Sequence, residues 1–324
     1  MGEPDEEGAA QPAEPRSPLT SLLAELARAP GASGWDLALH AGAVVGRFEL
    51  LREIGRGGFG VVWEARDREL GREVAFKAVL GGGDGTDVRQ ERLLREAEAA
   101  ARLSHPNVVT LFDVGKGEHG PYLILELLRG GTLAERLEQG PLPAREALRI
   151  GIEMAKGLAH AHAQGIVHRD VKPGNVFVCD DGQVKLLDLG MARAFGHRTI
   201  EGGTPSYMAP EQWRGAPEDE RTDVFALGVV LFQMLARELP FPDDGGATVR
   251  GPRPSPRLEV PGVPALGALV ARMLAKDPVE RPRDAGEVLA ALLAVQEELS
   301  RTPALEPAPR AVRPSRWSLL AASP

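Results

Sequence analysis

His168-Arg169-Asp170-Val171-Lys172-Pro173-Gly174-Asn175 brings a carboxylate, an ammonium group and a carboxamide together in one short loop. The Asp170 carboxylate can orient or accept the proton of a substrate hydroxyl. Lys172 can neutralise an anionic group in transit, and the amide oxygen of Asn175 suits a hard divalent cation such as Mg²⁺. Isolated Asp and Asn residues in loops are usually turn formers, so the reading depends on what surrounds them. Asp188-Leu189-Gly190 follows thirteen residues after Asn175 and offers a second carboxylate to the same cation.

Upstream, Gly55-Arg56-Gly57-Gly58-Phe59-Gly60-Val61-Val62 lies between two strand-like segments. Glycines there let the backbone bend over a polyphosphate with its amides facing the oxygens. Alone the pattern is weak, because a dinucleotide-binding turn gives the same glycines. That turn should open a helix, whereas here it opens a second strand, which favours a hairpin lid. Val74-Ala75-Phe76-Lys77 then places a lysine among apolar strand neighbours. A half-buried lysine needs an anion and a carboxylate to hold it; Glu91, Glu96 and Glu98 in the following helical run are the candidates, and a lysine snorkelling at a strand edge is the bland alternative.

Taken in order, these motifs resemble the protein kinase family, and most closely its eukaryotic-like (Hanks-type) bacterial Ser/Thr branch, over about residues 48 to 296. The resemblance implies an α+β bilobal fold: a small β-rich N-lobe with helix C, and a larger, mainly helical C-lobe. It implies ATP and Mg²⁺ as cofactors, with Mn²⁺ as a substitute, and protein Ser/Thr hydroxyls as acceptors. Asp170 is then the base, Lys172 faces the γ-phosphate, and Asn175 and Asp188 hold the metal. Glu96 becomes the partner of Lys77, because Arg95-Glu96-Ala97 precedes His105-Pro106-Asn107 at the family spacing. Ile54, Gly55, Gly57, Gly58, Phe59 and Gly60 form the nucleotide lid. Val62, Ala75 and Phe177 sandwich the adenine, with Leu125 as gatekeeper and Glu126 and Leu128 in the hinge.

The same resemblance makes Asp188 to Ala209-Pro210-Glu211 an activation segment, with Thr204 bridging Asp170 and Lys172. Thr199 is its phosphorylation candidate, since Arg169 beside the base can pair with a phosphate carrying about −1.5 to −2 charges. Arg193 is a second cation for it, and a plain solvated threonine is the competing reading. Glu211 is expected to clasp Arg281, and Asp223 to brace the catalytic loop. Small-molecule phosphotransferases generally lack that clasp. A pseudokinase scaffold is the other alternative, opposed by the retained Lys77, Glu96, Asp170, Asn175 and Asp188. Two departures stand out. Asp-Leu-Gly replaces the usual Asp-Phe-Gly, and Pro and Gly break the segment from Phe241 to Val263, where the family has helix G.

The wider sequence is consistent with such an enzyme. Its 324 residues are 43% hydrophobic and 26% charged, enough for a folded core, and a net charge of −8 argues against nucleic acid as partner. A single cysteine, Cys179, allows no intramolecular disulfide and suits a reducing compartment. An acidic N-terminus without a secretory pattern, and no long apolar run, point to a cytoplasmic chain without a membrane span. Residues 1–46 read as a flexible acidic, Pro-rich arm with a short helix spaced on Leu19, Leu22, Leu23 and Leu26. The kinase domain is expected over 47–296, its N-lobe at about 47–128 and its C-lobe at about 129–296, with a flexible Pro/Ala/Arg-rich tail over 297–324. Five strands are expected in the N-lobe: Phe48–Ile54, Val61–Ala65, Val74–Val79, Val108–Val114 and Tyr122–Leu127. Protein substrates, and self-association for autophosphorylation, are the expected partners. His160, His162 and His168 read as packing and hydrogen-bonding residues rather than a zinc site.

Overall fold

The computed structural model describes residues 39–57, 60–79, 103–118, 120–189, 205–251, 254–301 and 310–312. The leucine-spaced helix in the N-terminal arm, and almost all of the helical run from Val88 to Leu103, lie outside these residues.

The first layer is a six-stranded antiparallel sheet ordered β1-β2-β3-β4-β6-β5. It comprises β1 (Val44–Val45), β2 (Phe48–Gly57), β3 (Gly60–Asp67), β4 (Arg72–Val79), β5 (Leu111–Gly117) and β6 (Gly120–Leu125). Alternation sorts each strand onto two faces. Along β4, Val74, Phe76 and Ala78 enter one buried cluster with Phe48, Leu50, Val61, Trp63, Ala65 and Ile124. Ala75 and Val79 enter another with Leu111, Leu123 and Leu125. Lys77 shares the parity of Ala75 and Val79, so the pleat turns it toward the second face. At the β2–β3 turn, Gly60 has φ 151° and a Cβ there would sit 2.1 Å from the Ala78 carbonyl oxygen, which leaves glycine as the residue that fits.

Two expectations about this sheet need correction. Among the described residues it has six strands, because Val44–Val45 pairs with Glu49 and Phe48, inside the stretch read as a flexible arm. The expected strand Val108–Val114 begins three residues later, at Leu111. Its first residues bond elsewhere: Val108 forms a parallel bridge to Leu186, the Val109 amide donates to the Leu186 carbonyl and the Leu186 amide to the Asn107 carbonyl.

The second layer is helical. α1 (Leu133–Glu138) is closed by a Thr132–Glu135 capping box, and α2 (Ala144–His162) packs on α4 (Glu220–Ala236) and α7 (Ala285–Arg301). α4 is apolar all round and buried from Thr222 through Leu235 with few gaps, the pattern of a helix enclosed by others. Its fully buried Phe225 contributes about 1.5–3 kcal/mol over an exposed side chain. In chain order β8 (Val176–Cys179), β9 (Val184–Leu186) and α3 (Pro210–Arg214) lie between α2 and α4, and β8 and β9 join β7 (Gly130–Thr132), which precedes α1, in a three-stranded sheet. The β8–β9 hairpin matches the interruption visible in the sequence; the pairing of β7 does not show there.

The broken Phe241–Val263 segment forms one turn of helix, α5 (Ala247–Arg250), then β10 (Arg257–Glu259) and α6 (Pro264–Met273). The tail is more structured than expected. α7 continues to Arg301, with Leu299 buried and its carbonyl accepting from Arg145, and β11 (Arg310–Val312) pairs antiparallel with β10. No described helix is long and apolar enough to cross a membrane.

Candidate active site

The loop His168–Asn175 connects α2 to β8 and is held from behind by Asp223 of α4. The Asp223 carboxylate accepts from the His168 and Arg169 amides, each at 2.7 Å, and meets His162 Nε2 at 2.9 Å. The Ala285 amide donates to His162 Nδ1 at 3.2 Å, so Nδ1 carries no proton and Nε2–H is the donor to Asp223. Burial alone would raise the Asp223 carboxyl; the bonds from His162 and the His168 amide overcome this and hold its pKa below the usual carboxylate range. Arg169 takes φ 67°, a conformation that non-glycine residues rarely adopt and that this bracing maintains.

On the front of the loop, Asn175 Nδ2 donates to the Asp170 carbonyl at 2.8 Å and to Asp170 Oδ2 at 2.9 Å. Lys172 Nζ lies 2.9 Å from the same Oδ2. The Asn175 amide plane is thereby fixed with its oxygen turned away from Asp170. The Leu187 amide donates to the Asn175 carbonyl at 2.9 Å, which ties the loop to the residue before Asp188.

Asp188 has φ 53° and pairs through Oδ1 with Lys77 Nζ at 2.5 Å. Burial would raise this carboxyl too, but the Lys77 charge and hydrogen bond, with help from the His168 and Lys172 charges, bring its pKa below normal. The Lys172 charge that acts on Asp188 also contacts Asp170, so both carboxylates and both lysines form one electrostatic unit. Glu96, the expected partner of Lys77, lies outside the described residues; Asp188 is the carboxylate that Lys77 meets within them. A carboxylate and a carboxamide oxygen are hard donors of the kind Mg²⁺ takes alongside phosphate oxygens, so Asp188 and Asn175 fit that ion.

Above this unit, Gly55 pairs with Val62 and Gly57 with Gly60, while Gly58 and Phe59 lie outside the described residues. Ile54 is exposed at the sheet surface. Val62 and Ala75 share the apolar face that ends at Leu125, and Phe177 stands on β8 opposite Thr132 and Lys185. In the hinge, the Glu126 amide donates to the Thr110 carbonyl, and the Glu126 carboxylate accepts from the Thr110 amide and Lys185, each at 2.7 Å. Among the described residues the Glu126 carbonyl and the Leu128 amide have no backbone partner.

Below, Arg281 grips Glu211 with two bonds, Nη1 to Oε1 at 2.7 Å and Nη2 to Oε2 at 2.9 Å, and both side chains are buried. Thr222 adds a hydroxyl to Glu211 Oε1, and Arg281 also donates to the Ala275, Lys276 and Arg221 carbonyls. Thr199, Arg193 and Thr204 fall outside the described residues. Arg169 Nε stands 3.3 Å from Glu218, and its carbonyl accepts from Gln212. Gln212, Glu218 and Lys185 escaped the sequence reading, because each acts through a partner remote in the chain, whereas His162 is the hydrogen-bonding residue it was expected to be. His160 stacks on His105, and the described residues contain no group of three or more His, Cys, Asp or Glu able to hold a metal.

Comparison with known proteins places this site in a family. A profile described as the protein kinase domain matches residues 48–291. The serine/threonine-protein kinase PknL of Mycobacterium tuberculosis is 36% identical over 284 residues, covering 84% of this chain and 71% of PknL. A probable serine/threonine-protein kinase of Clostridium perfringens is 37% identical over 270 residues, covering 79% of this chain and 39% of the relative. PrkC of Bacillus subtilis is 36% identical over 250 residues, 74% of this chain and 39% of PrkC. The chain thus spans about two fifths of the length of some curated relatives and about seven tenths of others. The crystal structure of the Mycobacterium tuberculosis PknI kinase domain superposes with a TM-score of 0.67 at 27% identity, over 81% of this chain and 100% of that one. With the profile, the curated relatives and the superposed structure in agreement, the chain belongs to the protein kinase family, in its Hanks-type bacterial serine/threonine branch.

Proposed function

We propose that the protein transfers the γ-phosphoryl group of Mg²⁺-ATP to Ser/Thr hydroxyls of proteins, in cytoplasmic signalling and with autophosphorylation between copies of the chain. The observation that carries this reading is the joined unit of Asp170, Lys172, Asn175, Asp188 and Lys77. Bound Mg²⁺-ATP supplies the electrophilic phosphorus and a leaving group with its charge neutralised. Asp170 receives and aligns the acceptor hydroxyl through Oδ1, since Asn175 and Lys172 both engage Oδ2. Lys172 offsets charge that grows on the transferred group, and Asn175 and Asp188 hold the ion. Lys77, steadied by Glu96, orients the phosphates; its bond to Asp188 is the contact that nucleotide binding reorganises.

The Gly55–Gly60 hairpin lids the nucleotide. The unpartnered Glu126 carbonyl and Leu128 amide suit the adenine edge, and Val62, Ala75, Leu125 and Phe177 its faces. Thr204 bridges Asp170 and Lys172 as acceptor protein docks, Arg169 receives phosphorylated Thr199, and the domain occupies about residues 47–296. The test is phosphate incorporation from labelled ATP with Mg²⁺ into the chain and into a generic protein substrate. Asp170→Asn should lower turnover by about 10²–10⁴-fold, the usual contribution of a positioned base. Equal incorporation by both proteins removes the role given to Asp170.

A further inference from the structure

Where the family's helix G is broken, three cations converge on the single turn α5. Lys276 Nζ donates to the Thr248 and Gly251 carbonyls at 2.5 and 2.7 Å, and Arg214 Nη2 to the Arg250 carbonyl at 3.2 Å. Arg250 folds back on the Gly245 and Gly246 carbonyls, its guanidinium 5.4 Å from the centre of the Trp213 ring. Gly246 makes this possible: its φ is 77° and a Cβ there would lie 2.5 Å from the indole. Lys276 and Arg214 therefore close the open carbonyl end of α5 in place of further helical turns, while Arg250 reaches back to the carbonyls that precede it.

Carbonyls satisfy hydrogen bonds without cancelling charge. Among the described residues none of Arg214, Arg250 and Lys276 forms an ion pair, whereas Arg47, Arg129, Arg169, Arg272 and Arg281 all do. Asp244 is the nearby carboxylate, and it is engaged in capping Thr248 through amide and hydroxyl. Burial is the first cause of a lowered pKa at Lys276; the Arg214 charge adds to it and the Asp244 carboxylate opposes it. Arg214 and Arg250 are exposed beside the half-buried Trp213 ring, whose N–H is itself buried and has no acceptor among the described residues.

The position of this patch gives it a use. α3 carries Gln212, which donates to the carbonyl of Arg169 next to Asp170, and two residues later Arg214, a rise of about 3 Å along the axis. We infer that Trp213, Arg214 and Arg250 form a docking surface for an acidic, Asp/Glu-bearing segment of the protein substrate, which binds while its hydroxyl occupies the catalytic loop. This rests on the kinase reading above. An unpaired basic surface on a chain of net charge −8 selects acidic partners by local rather than overall charge.

The experiment compares peptides that share one Thr acceptor and carry Glu or Gln clusters at graded distances from it. They are assayed with the full chain and with Arg214→Gln, Arg250→Gln and the double variant, each checked for unchanged melting temperature. Wild type should show a lower KM for at least one Glu peptide than for its Gln counterpart. Each substitution should erase up to about fivefold of that preference and leave kcat on the Gln peptides unchanged. Equal KM values for Glu and Gln peptides at every spacing, or a preference that survives the double variant, overturns the proposal. Should neither peptide be phosphorylated, the kinase reading fails separately. Anisotropy of the labelled Glu peptide then tests the patch alone: binding weakened by the double variant and by salt of about 0.5 M supports it, and binding insensitive to both refutes it.

Discussion

Lys77–Asp188, buried on the lysine side, and Glu211–Arg281, buried on both, are ion pairs built for opposite purposes. Lys77 reaches Asp188 through one oxygen, the Asp188 side chain keeps 24% of its exposure, and its backbone is in the left-handed region. Glu211–Arg281 is bidentate, its side chains are 6% and 0% exposed, and a hydroxyl and three carbonyls complete it. A pair meant to exchange partners needs one contact and an opening toward solvent. A pair meant to fix two segments needs every donor used, because desolvation otherwise exceeds the attraction.

The comparison can be broken most forcefully at the clasp. Arg281→Ala strands the Glu211 carboxylate in the core and should cost about 3–5 kcal/mol, read as a shifted denaturant midpoint. Lys77→Met should cost less than half as much while abolishing most phosphoryl transfer. If the two variants destabilise equally, the distinction between an exchangeable and a fixed pair collapses.

Acid sharpens the contrast further. The Asp188 and Asp223 carboxyls both titrate below their unfolded values, so their stabilisation is complete above about pH 4 and drains away as the pH falls through the folded pKa values. Asp223→Asn should flatten the acid limb of a stability profile measured from about pH 5 downward; a profile parallel to wild type would contradict this. The smallest effect is regulatory. Thr199→Ala should lower kcat/KM several-fold by loosening the segment that Arg169 receives, and unchanged kinetics against fully phosphorylated wild type would leave Arg169 its ion pair with Glu218 and its bond to the Val167 carbonyl.

Much of this was readable from the sequence because it depends on local order. The strands of the first lobe follow apolar alternation, and Asp170, Lys172 and Asn175 sit in one loop whose spacing limits what they can contact. Pro and Gly between Phe241 and Val263 foretold the absence of a long helix. What the sequence withheld depends on distant partners. Val44–Val45 is a strand because β2 is beside it, and Val108 leaves the first sheet because Leu186 competes for its backbone. His162 looks like any helix-terminal histidine until Asp223 and Ala285 are brought to its two nitrogens. Arg214, Arg250 and Lys276 become a group once the short helix gathers them.

Two ties around the catalytic loop, the Glu211–Arg281 clasp below it and the Ala285 bond to His162 behind Asp223, share a further property: both are completed late in synthesis. Arg281 closes on Glu211, and the Ala285 amide sets the tautomer of His162. A nascent chain that has emerged from the ribosome only as far as Asp277 holds every residue assigned to chemistry and neither of these fastenings. Translation order thus brings out Asp223, which braces the loop, before Arg281 and Ala285, which complete the frame around it.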